Sequence, residues 1–139
     1  MRSKKNILII TDGSGEIAPI AAKIRDVIKS GGDKVVLRSA QEFAGNDILP
    51  ADAFFLGCEA PKPKSFEYLE DLLKHINLAG RLCGIFSNGS DKAIKYLSNL
   101  VKDSEAVLYP VPLIGFDSSG GNTKKWTEKV LSGTFLIKP

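Results

Sequence analysis

Histidine and cysteine are scarce in this chain, and their scarcity argues against most metal chemistry. The 139 residues include one histidine and two cysteines, too few for a zinc site built from Cys and His ligands. Cys58 and Cys83 follow no spacing typical of metal ligands, so we expect two reduced, unpaired thiols. Because no histidine or basic residue adjoins Cys58, we expect it to be a buried, inert thiol rather than a nucleophile.

An excess of charge of one sign and a long apolar run are also missing. The 19 basic and 16 acidic residues give a net charge of +3, and the lysines are interspersed with acids, which gives little support for nucleic-acid binding. No apolar run approaches the roughly 18 residues that a membrane span requires. The basic start leads into an apolar segment too short for a signal peptide. We therefore expect a cytoplasmic protein that binds neither nucleic acid nor a membrane.

What the chain does have is a regular alternation of two patterns. Short apolar runs predict strands, and apolar residues at helical spacing predict helices between them. The predicted strands cover residues 7–10, 34–38, 53–57, 82–86 and 107–109, and the predicted helices cover residues 17–28, 66–76, 91–101 and 122–131. Such alternation predicts right-handed crossovers and a parallel sheet covered by helices on both faces.

The element count predicts an α/β fold, a three-layer doubly wound domain over residues 1–139 with five parallel strands in the order 2-1-3-4-5. The charged ends of the second strand indicate a sheet edge. Residues 39–51 are the least regular segment, with one helical turn predicted around Ala40 to Phe43. Pro110 and Pro112 interrupt the fifth strand, so residues 113–116 either continue it or form a separate segment.

In such sheets ligands bind beyond the carboxyl ends of the strands, where the strand order reverses. Three segments should converge there: residues 11–17 (loop one), residues 58–64 (loop two) and residues 87–91 (loop three). The remaining polar segments are less informative. His75 is expected to be exposed at the far end of a helix, and residues 117–123 form a glycine-rich turn that is a weak candidate for a second anion site.

Loop one allows two interpretations. Gly13 and Gly15 would let the backbone curl around a phosphate, with Ser14 Oγ donating a hydrogen bond at a helix N-terminus. Alternatively, Asp12 or Ser14 caps a helix that starts near Glu16, and the glycines only form the turn. Asp12 and Glu16 favour the second interpretation, because each carboxylate repels a phosphate at close range.

Loops two and three also have two interpretations each. Pro61 and Pro63 should hold loop two extended as one wall of a planar pocket, with its lysines either charging the site or simply solvated. The small polar residues of loop three could hydrogen-bond the edge of a ligand, or Ser90 could merely cap the following helix.

Taken in this order, the three loops resemble those of the flavodoxin family. The family's phosphate loop reads hydroxyl, any residue, hydroxyl, Gly, any residue, Thr, and residues 12–17 fall in that frame. Ser14 and Gly15 match, whereas Asp12 and Ile17 stand where hydroxyl residues are expected. Residues 53–57 and 78–87 resemble the family's third and fourth strands.

The resemblance implies non-covalent FMN and one-electron transfer between redox-partner proteins. It places the phosphate on loop one and the flavin ring between loops two and three, neither of which contains an aromatic side chain to stack on the ring. The implied cofactor-binding residues are Asp12, Gly13, Ser14, Gly15, Glu16, Ile17, Cys58, Glu59, Ala60, Ser87, Asn88 and Gly89.

Two other functions were weighed against an electron carrier. The acid at Asp12 and the absent aromatics favour a cofactor-free interaction or regulatory module of the same fold. A response-regulator receiver is excluded, because only one acid follows the first strand and Gly57-Cys58 stands where the phosphorylated aspartate is needed. No general acid/base pair is visible, so we expect a carrier or binding module rather than a self-sufficient enzyme.

Overall fold

The computed structural model of this chain describes residues 5–42, 45–115 and 121–133. The strands are β1 (Asn6–Thr11), β2 (Lys34–Ser39), β3 (Ala53–Gly57), β4 (Leu82–Ser87), β5 (Val107–Leu108) and β6 (Leu113–Ile114). The helices are α1 (Ala18–Ser30), α2 (Gly45–Ile48), α3 (Glu67–His75), α4 (Asp91–Ser104) and α5 (Gly121–Ser132), with a 3₁₀ turn over Lys64–Phe66 leading into α3.

The strands form one parallel sheet in the order β2-β1-β3-β4-β5, which confirms the predicted α/β topology. β5 pairs with the start of β4 and β6 pairs with its end. The fifth position of the sheet is therefore shared by two short segments. Residues 109–112 separate them, and the two prolines there have no N–H to donate to a ladder. The segment after the prolines is thus a separate strand.

Alternating side chains of the strands build a core on each face of the sheet. One core joins β1, β3 and β4 to α1 and α5, through Ile7, Ile9, Phe55, Phe86, Ile20, Ile24 and Trp126. The other joins the same strands to α3 and α4, through Leu8, Ile10, Phe54, Leu56, Leu69 and Leu97. Because β3 and β4 are buried along their whole length, helices must cover both of their faces.

The second strand lies at the sheet edge, as its charged ends predict. Val36 on this strand is 40% exposed, since the nearby α2 has only four residues. The helical turn predicted around Ala40 to Phe43 was placed too early: residues 40–42 form a turn, and the helix lies at Gly45–Ile48, where Ile48 is fully buried. Phe43 and most of the predicted 117–123 turn lie outside the described residues.

Two glycines permit close packing between the central strands and the aromatic core. A Cβ added at Gly57 would overlap the ring of Phe86, and one at Gly84 would lie 2.8 Å from Cη2 of Trp126. Phe55, beside Gly84, packs its ring against that of Trp126 with centroids 5.5 Å apart. The missing side chains therefore let the end of β3 pair closely with β4 just before loop two begins.

We expect Gly57→Ala to lower the free energy of unfolding by about 1–3 kcal/mol, because the added methyl group forces the buried Phe86 ring to move. Urea denaturation of both proteins measures the difference. Gly15→Ala is the control: no atom lies within 4 Å of its added Cβ, and its effect should stay within about 0.5 kcal/mol. Equal stabilities of the two variants would contradict the packing described for Gly57.

Candidate functional site at the carboxyl edge of the sheet

Loops one, two and three leave the sheet side by side at the same edge. β1, β3 and β4 are adjacent, Thr11 pairs with Gly57, and Gly57 pairs with Phe86. The three strands therefore end at one level, and the predicted convergence of the loops is confirmed.

Loop one is a turn held by its own hydrogen bonds. Gly13 has a φ of +79°, a backbone conformation that glycine adopts without strain. Its N–H donates to Thr11 Oγ1 at 3.2 Å, and the N–H of Ser14 donates to Asp12 Oδ1 at 3.0 Å. The amide of Ile17 donates to the carbonyl oxygen of Ser14 at 3.3 Å. Three of the five amides over residues 13–17 are thus satisfied within the loop.

Helix α1 begins later than the sequence predicts. It starts at Ala18, and its N-cap residue Ile17 makes no side-chain cap hydrogen bond. The expected cap by the side chain of Asp12 or Ser14 is therefore wrong. The backbone carbonyl of Ser14 instead accepts the amide of Ala18 at 3.1 Å. Pro19 lies in the first helical turn, where its missing N–H costs nothing.

The rest of loop one leaves hydrogen-bonding groups open. Within the described residues, the amides of Gly15 and Glu16 have no recorded acceptor, and both residues are exposed. The hydroxyl oxygen of Ser14 is buried with no partner in the described part of the chain. Buried polar atoms normally find a partner, so this oxygen marks a place where a polar ligand could bind.

Asp12 joins loop one to loop two. While Oδ1 accepts the Ser14 amide, Oδ2 accepts the backbone N–H of Glu59 at 2.8 Å. The main chain of Asp12 adds to this connection: its N–H donates to the carbonyl oxygen of Gly57 at 3.2 Å, and its carbonyl oxygen accepts the Ser65 hydroxyl at 3.4 Å. Both oxygens of the Asp12 carboxylate therefore accept backbone N–H groups, one from each loop.

Glu16 joins loop one to loop three. Its Oε2 accepts a hydrogen bond from Asn88 Nδ2 at 2.8 Å, across 72 positions of sequence. The sequence analysis treated both acids as groups that repel a phosphate and Asp12 also as a candidate helix cap, and it missed both bridges. No sequence signal could have paired residues so far apart, because both bridges depend on the strand order.

The other predicted residues of loops two and three divide into exposed and buried groups. Glu59, Ala60 and Asn88 are exposed at the rim. Ser87 is fully buried at the end of β4, and its Oγ has no hydrogen-bond partner within the described ranges. It is the second orphaned hydroxyl at this edge, after that of Ser14.

Local conformation in loops two and three differs partly from expectation. Lys62 has a φ of +51°, so loop two bends rather than running extended between its prolines. Lys62 and Lys64 are exposed, as expected for solvated lysines. Gly89 has a φ of +87°, and Ser90 Oγ accepts the amide of Ala93 at 3.1 Å, which confirms the predicted cap of α4.

Neither cysteine thiol has the properties of a reactive nucleophile. Burial raises the pKa of Cys58 to about 12, and the nearby negative charge of Asp12 adds to the shift. Burial also raises the pKa of Cys83. Tyr96, whose hydroxyl donates to Glu70 Oε2 at 2.5 Å, likewise has a pKa raised, first by burial and then by that hydrogen bond. Cys58 is thus the inert buried thiol that the sequence predicts.

A cavity of about 720 Å³ lies at the opposite edge of the sheet, between the ends of α1 and α5. Its charged lining is balanced, with Lys5, Lys23 and Lys124 facing Asp26, Asp33 and Glu128. Among the described residues three buried hydroxyls have no hydrogen-bond partner: Thr127 Oγ1 lies on α5, whereas Ser14 Oγ and Ser87 Oγ both lie at the carboxyl edge. We place the candidate site at the carboxyl edge, where two of the three lie and the three loops converge.

Metal and membrane sites find no support in the described part of the chain. No group of three or more His, Cys, Asp or Glu side chains there could hold a metal ion. Over residues 5–42, 45–115 and 121–133, no helix combines the length and apolar character that a bilayer crossing requires.

We expect Cys58 and Cys83 to resist iodoacetamide at pH 8 in the folded protein and to react fully after unfolding in guanidinium. Because the folded-state pKa of Cys58 lies near 12 rather than at its ordinary 9.0, the thiol contributes stability below pH 9 that is lost as the pH rises toward 12. Mass spectrometry counts the labelled thiols. Native labelling of Cys58 at the rate of a free thiol would contradict its burial.

Comparison with known proteins places the fold but gives no sequence relative. No protein-family model matches the chain, and no curated protein is significantly similar to it.

Solved structures with the same architecture are numerous and distant in sequence. A short-chain flavodoxin associated with a bacterial microcompartment is 13% identical with a TM-score of 0.79, covering 94% of this chain and 98% of that one. Flavodoxin 2 from Bacillus cereus is 19% identical with a TM-score of 0.79, over 92% of this chain and 98% of that one. Rubredoxin oxygen:oxidoreductase from Desulfovibrio gigas is 12% identical with a TM-score of 0.71, over 96% of this chain and 37% of that one. At these identities the likeness establishes architecture alone: this chain has the flavodoxin fold.

Proposed function

We propose that this protein binds a flavin non-covalently at the carboxyl edge of the sheet and carries electrons between redox-partner proteins. The observation that carries the proposal is a pair of buried hydroxyls at this edge, Ser14 in loop one and Ser87 at the end of β4, that have no hydrogen-bond partner among the described residues. The similarity of fold to flavodoxins supports the proposal. That residues 1–139 form one domain and that the protein is cytoplasmic are predictions.

The roles of the residues follow from their positions. Ser14 Oγ and the amides of Gly15 and Glu16 would bind the side chain of the flavin. The backbone near Ala60 and Asn88, at the exposed rims of loops two and three, would flank the ring. A bound flavin supplies the redox chemistry. The protein orients it and stabilises its polar groups, and none of these residues needs to move a proton.

A second candidate is a cofactor-free interaction module. The bridges Asp12–Glu59 and Glu16–Asn88 favour it, because they connect the three loops through hydrogen bonds of the protein itself. Loops two and three also lack an aromatic side chain to stack on a flavin ring. Such a module would keep the same edge of the sheet for contact with another protein.

We expect the protein, purified without added cofactor and then incubated with flavin, to quench flavin fluorescence at micromolar concentration. A flavin carried through purification would show as absorbance between about 350 and 500 nm, a property of the cofactor itself. Absence of both signals for riboflavin and for FMN would contradict flavin binding and favour the interaction module.

Ser14→Ala should separate a binding role of this hydroxyl from a structural one. Because the hydroxyl oxygen has no protein partner, its removal should leave the free energy of unfolding unchanged or slightly higher. Flavin affinity should fall about 5- to 10-fold, the value of one hydrogen bond of about 1 kcal/mol. Titration by fluorescence quenching and urea denaturation measure the two effects.

The control for this experiment is Ser30→Ala, which removes an exposed hydroxyl from the far end of α1. It should change neither quantity. A loss of stability in Ser14→Ala with unchanged flavin affinity would assign the hydroxyl to folding instead.

A further inference from the structure

We infer that loop one selects against a terminal phosphate, so that the flavin it binds ends in neutral hydroxyl groups rather than in a phosphate dianion. The inference rests on the proposed flavin site and specifies which flavin that site takes. It disagrees with the family resemblance, which implies FMN as the cofactor. It depends on the placement of two carboxylates in loop one.

The amides that would hold a phosphate are largely occupied. Over residues 13–17, the amides of Gly13, Ser14 and Ile17 already donate within the loop, which leaves those of Gly15 and Glu16. The acceptor of the Ser14 amide is itself an anion, the carboxylate of Asp12, at 3.0 Å. A phosphate oxygen could reach this amide only by displacing a carboxylate that already serves as its anionic partner.

The carboxylate of Asp12 is held in place by a second hydrogen bond. Its second oxygen accepts the Glu59 amide at 2.8 Å, so displacing Asp12 would also break the connection between loops one and two. Glu16 is held in the same way through Asn88 Nδ2 at 2.8 Å. A phosphate bound to the two open amides would therefore lie beside two fixed negative charges.

No lysine, arginine or histidine of the described residues forms an ion pair with Asp12 or Glu16. The recorded ion pairs among these residues join Arg25 to Asp26 and His75 to Asp71. An anion in loop one would be attracted by the partial positive charge at the N-terminus of α1. The two carboxylates already supply the negative charge that this helix end favours.

The same groups suit neutral hydroxyls. A carboxylate repels a dianion, but it accepts a hydrogen bond from an O–H group, and charge-assisted bonds of this kind are strong. Ser14 Oγ can donate or accept, and the open amides of Gly15 and Glu16 can donate to a hydroxyl oxygen. Loop one thus presents both acceptors and donors, as a polyhydroxylated chain requires.

Riboflavin and FMN test the inference directly, because they share one chromophore and differ by the phosphate. We expect the wild-type protein to bind riboflavin at least as tightly as FMN in fluorescence-quenching titrations. Raising the salt concentration from about 0.02 to about 0.5 M should strengthen FMN binding relative to riboflavin, because ions screen the repulsion. A loop that attracts phosphate would show the opposite salt dependence.

Two substitutions remove one charge each. Glu16→Gln keeps an oxygen that can accept from Asn88 Nδ2. Asp12→Asn keeps an oxygen for the Ser14 amide, while the Glu59 amide loses its acceptor, so Glu16→Gln is the cleaner charge change. Each should increase the affinity for FMN about tenfold, as the loss of a close like-charge contact implies, and change that for riboflavin less than about threefold. The control, Asp103→Asn, makes the same charge change near the far end of α4, where the side chain is exposed, and should leave the ratio of the two affinities unaltered.

The outcomes are distinguishable. Wild-type binding of FMN more than about threefold tighter than riboflavin would overturn the selectivity, while the proposed flavin site would stand. Unchanged affinity ratios in both Glu16→Gln and Asp12→Asn, with circular dichroism showing folded proteins, would also overturn it. If neither flavin binds, the proposed function itself fails, and this inference fails with it.

Discussion

Every residue of β3 and β4 is buried, and so are five of the six in β1. Strands that are apolar on both faces can be stable only between two layers of helices, and parallel neighbours then require crossovers that return to the same end of the sheet. The rest of the architecture follows from this constraint. Loops one, two and three meet at one edge because the three strands before them are adjacent and end in register.

Close packing between the strands depends on a few positions. Phe86 lies against Gly57, and Trp126 lies against Gly84, so the aromatic core fills the space that missing side chains leave. Trp126 also donates from Nε1 to the carbonyl oxygen of Val111 at 2.6 Å, which ties α5 to the proline-interrupted segment between β5 and β6. The split fifth strand is therefore anchored to the core and still completes the sheet.

The candidate site contains groups that could bind a ligand and groups that make hydrogen bonds in the place of one. The hydroxyls of Ser14 and Ser87 are buried and have no partner among the described residues, whereas Asp12 and Glu16 bridge the loops as a bound ligand would. A carboxylate beside a helix N-terminus is electrostatically favourable, so these acids stabilise loop one while changing what it can accept. The chain shares the architecture of flavodoxins, and its loop one carries two acids that are hydrogen-bonded to the neighbouring loops.

Hydrophobic periodicity is local, and it predicts the strands and the helices. The usual topology of a five-stranded doubly wound sheet then predicts the strand order and the convergence of the loops, and the charged ends of β2 predict its edge position. Two predicted positions along the chain were wrong. Helix α1 starts at Ala18, with Pro19 in its first turn and the Ser14 carbonyl oxygen accepting the Ala18 amide. The short helix α2 lies later in the chain than the predicted helical turn. Asp12 and Glu59 are 47 positions apart, and Glu16 and Asn88 are 72 apart. The sequence by itself determined which loops would meet, because burial of apolar strands determines topology. Only the tertiary structure decided that the two acids of loop one bind neighbouring loops, since hydrogen bonds between distant residues depend on positions in space that no periodicity records.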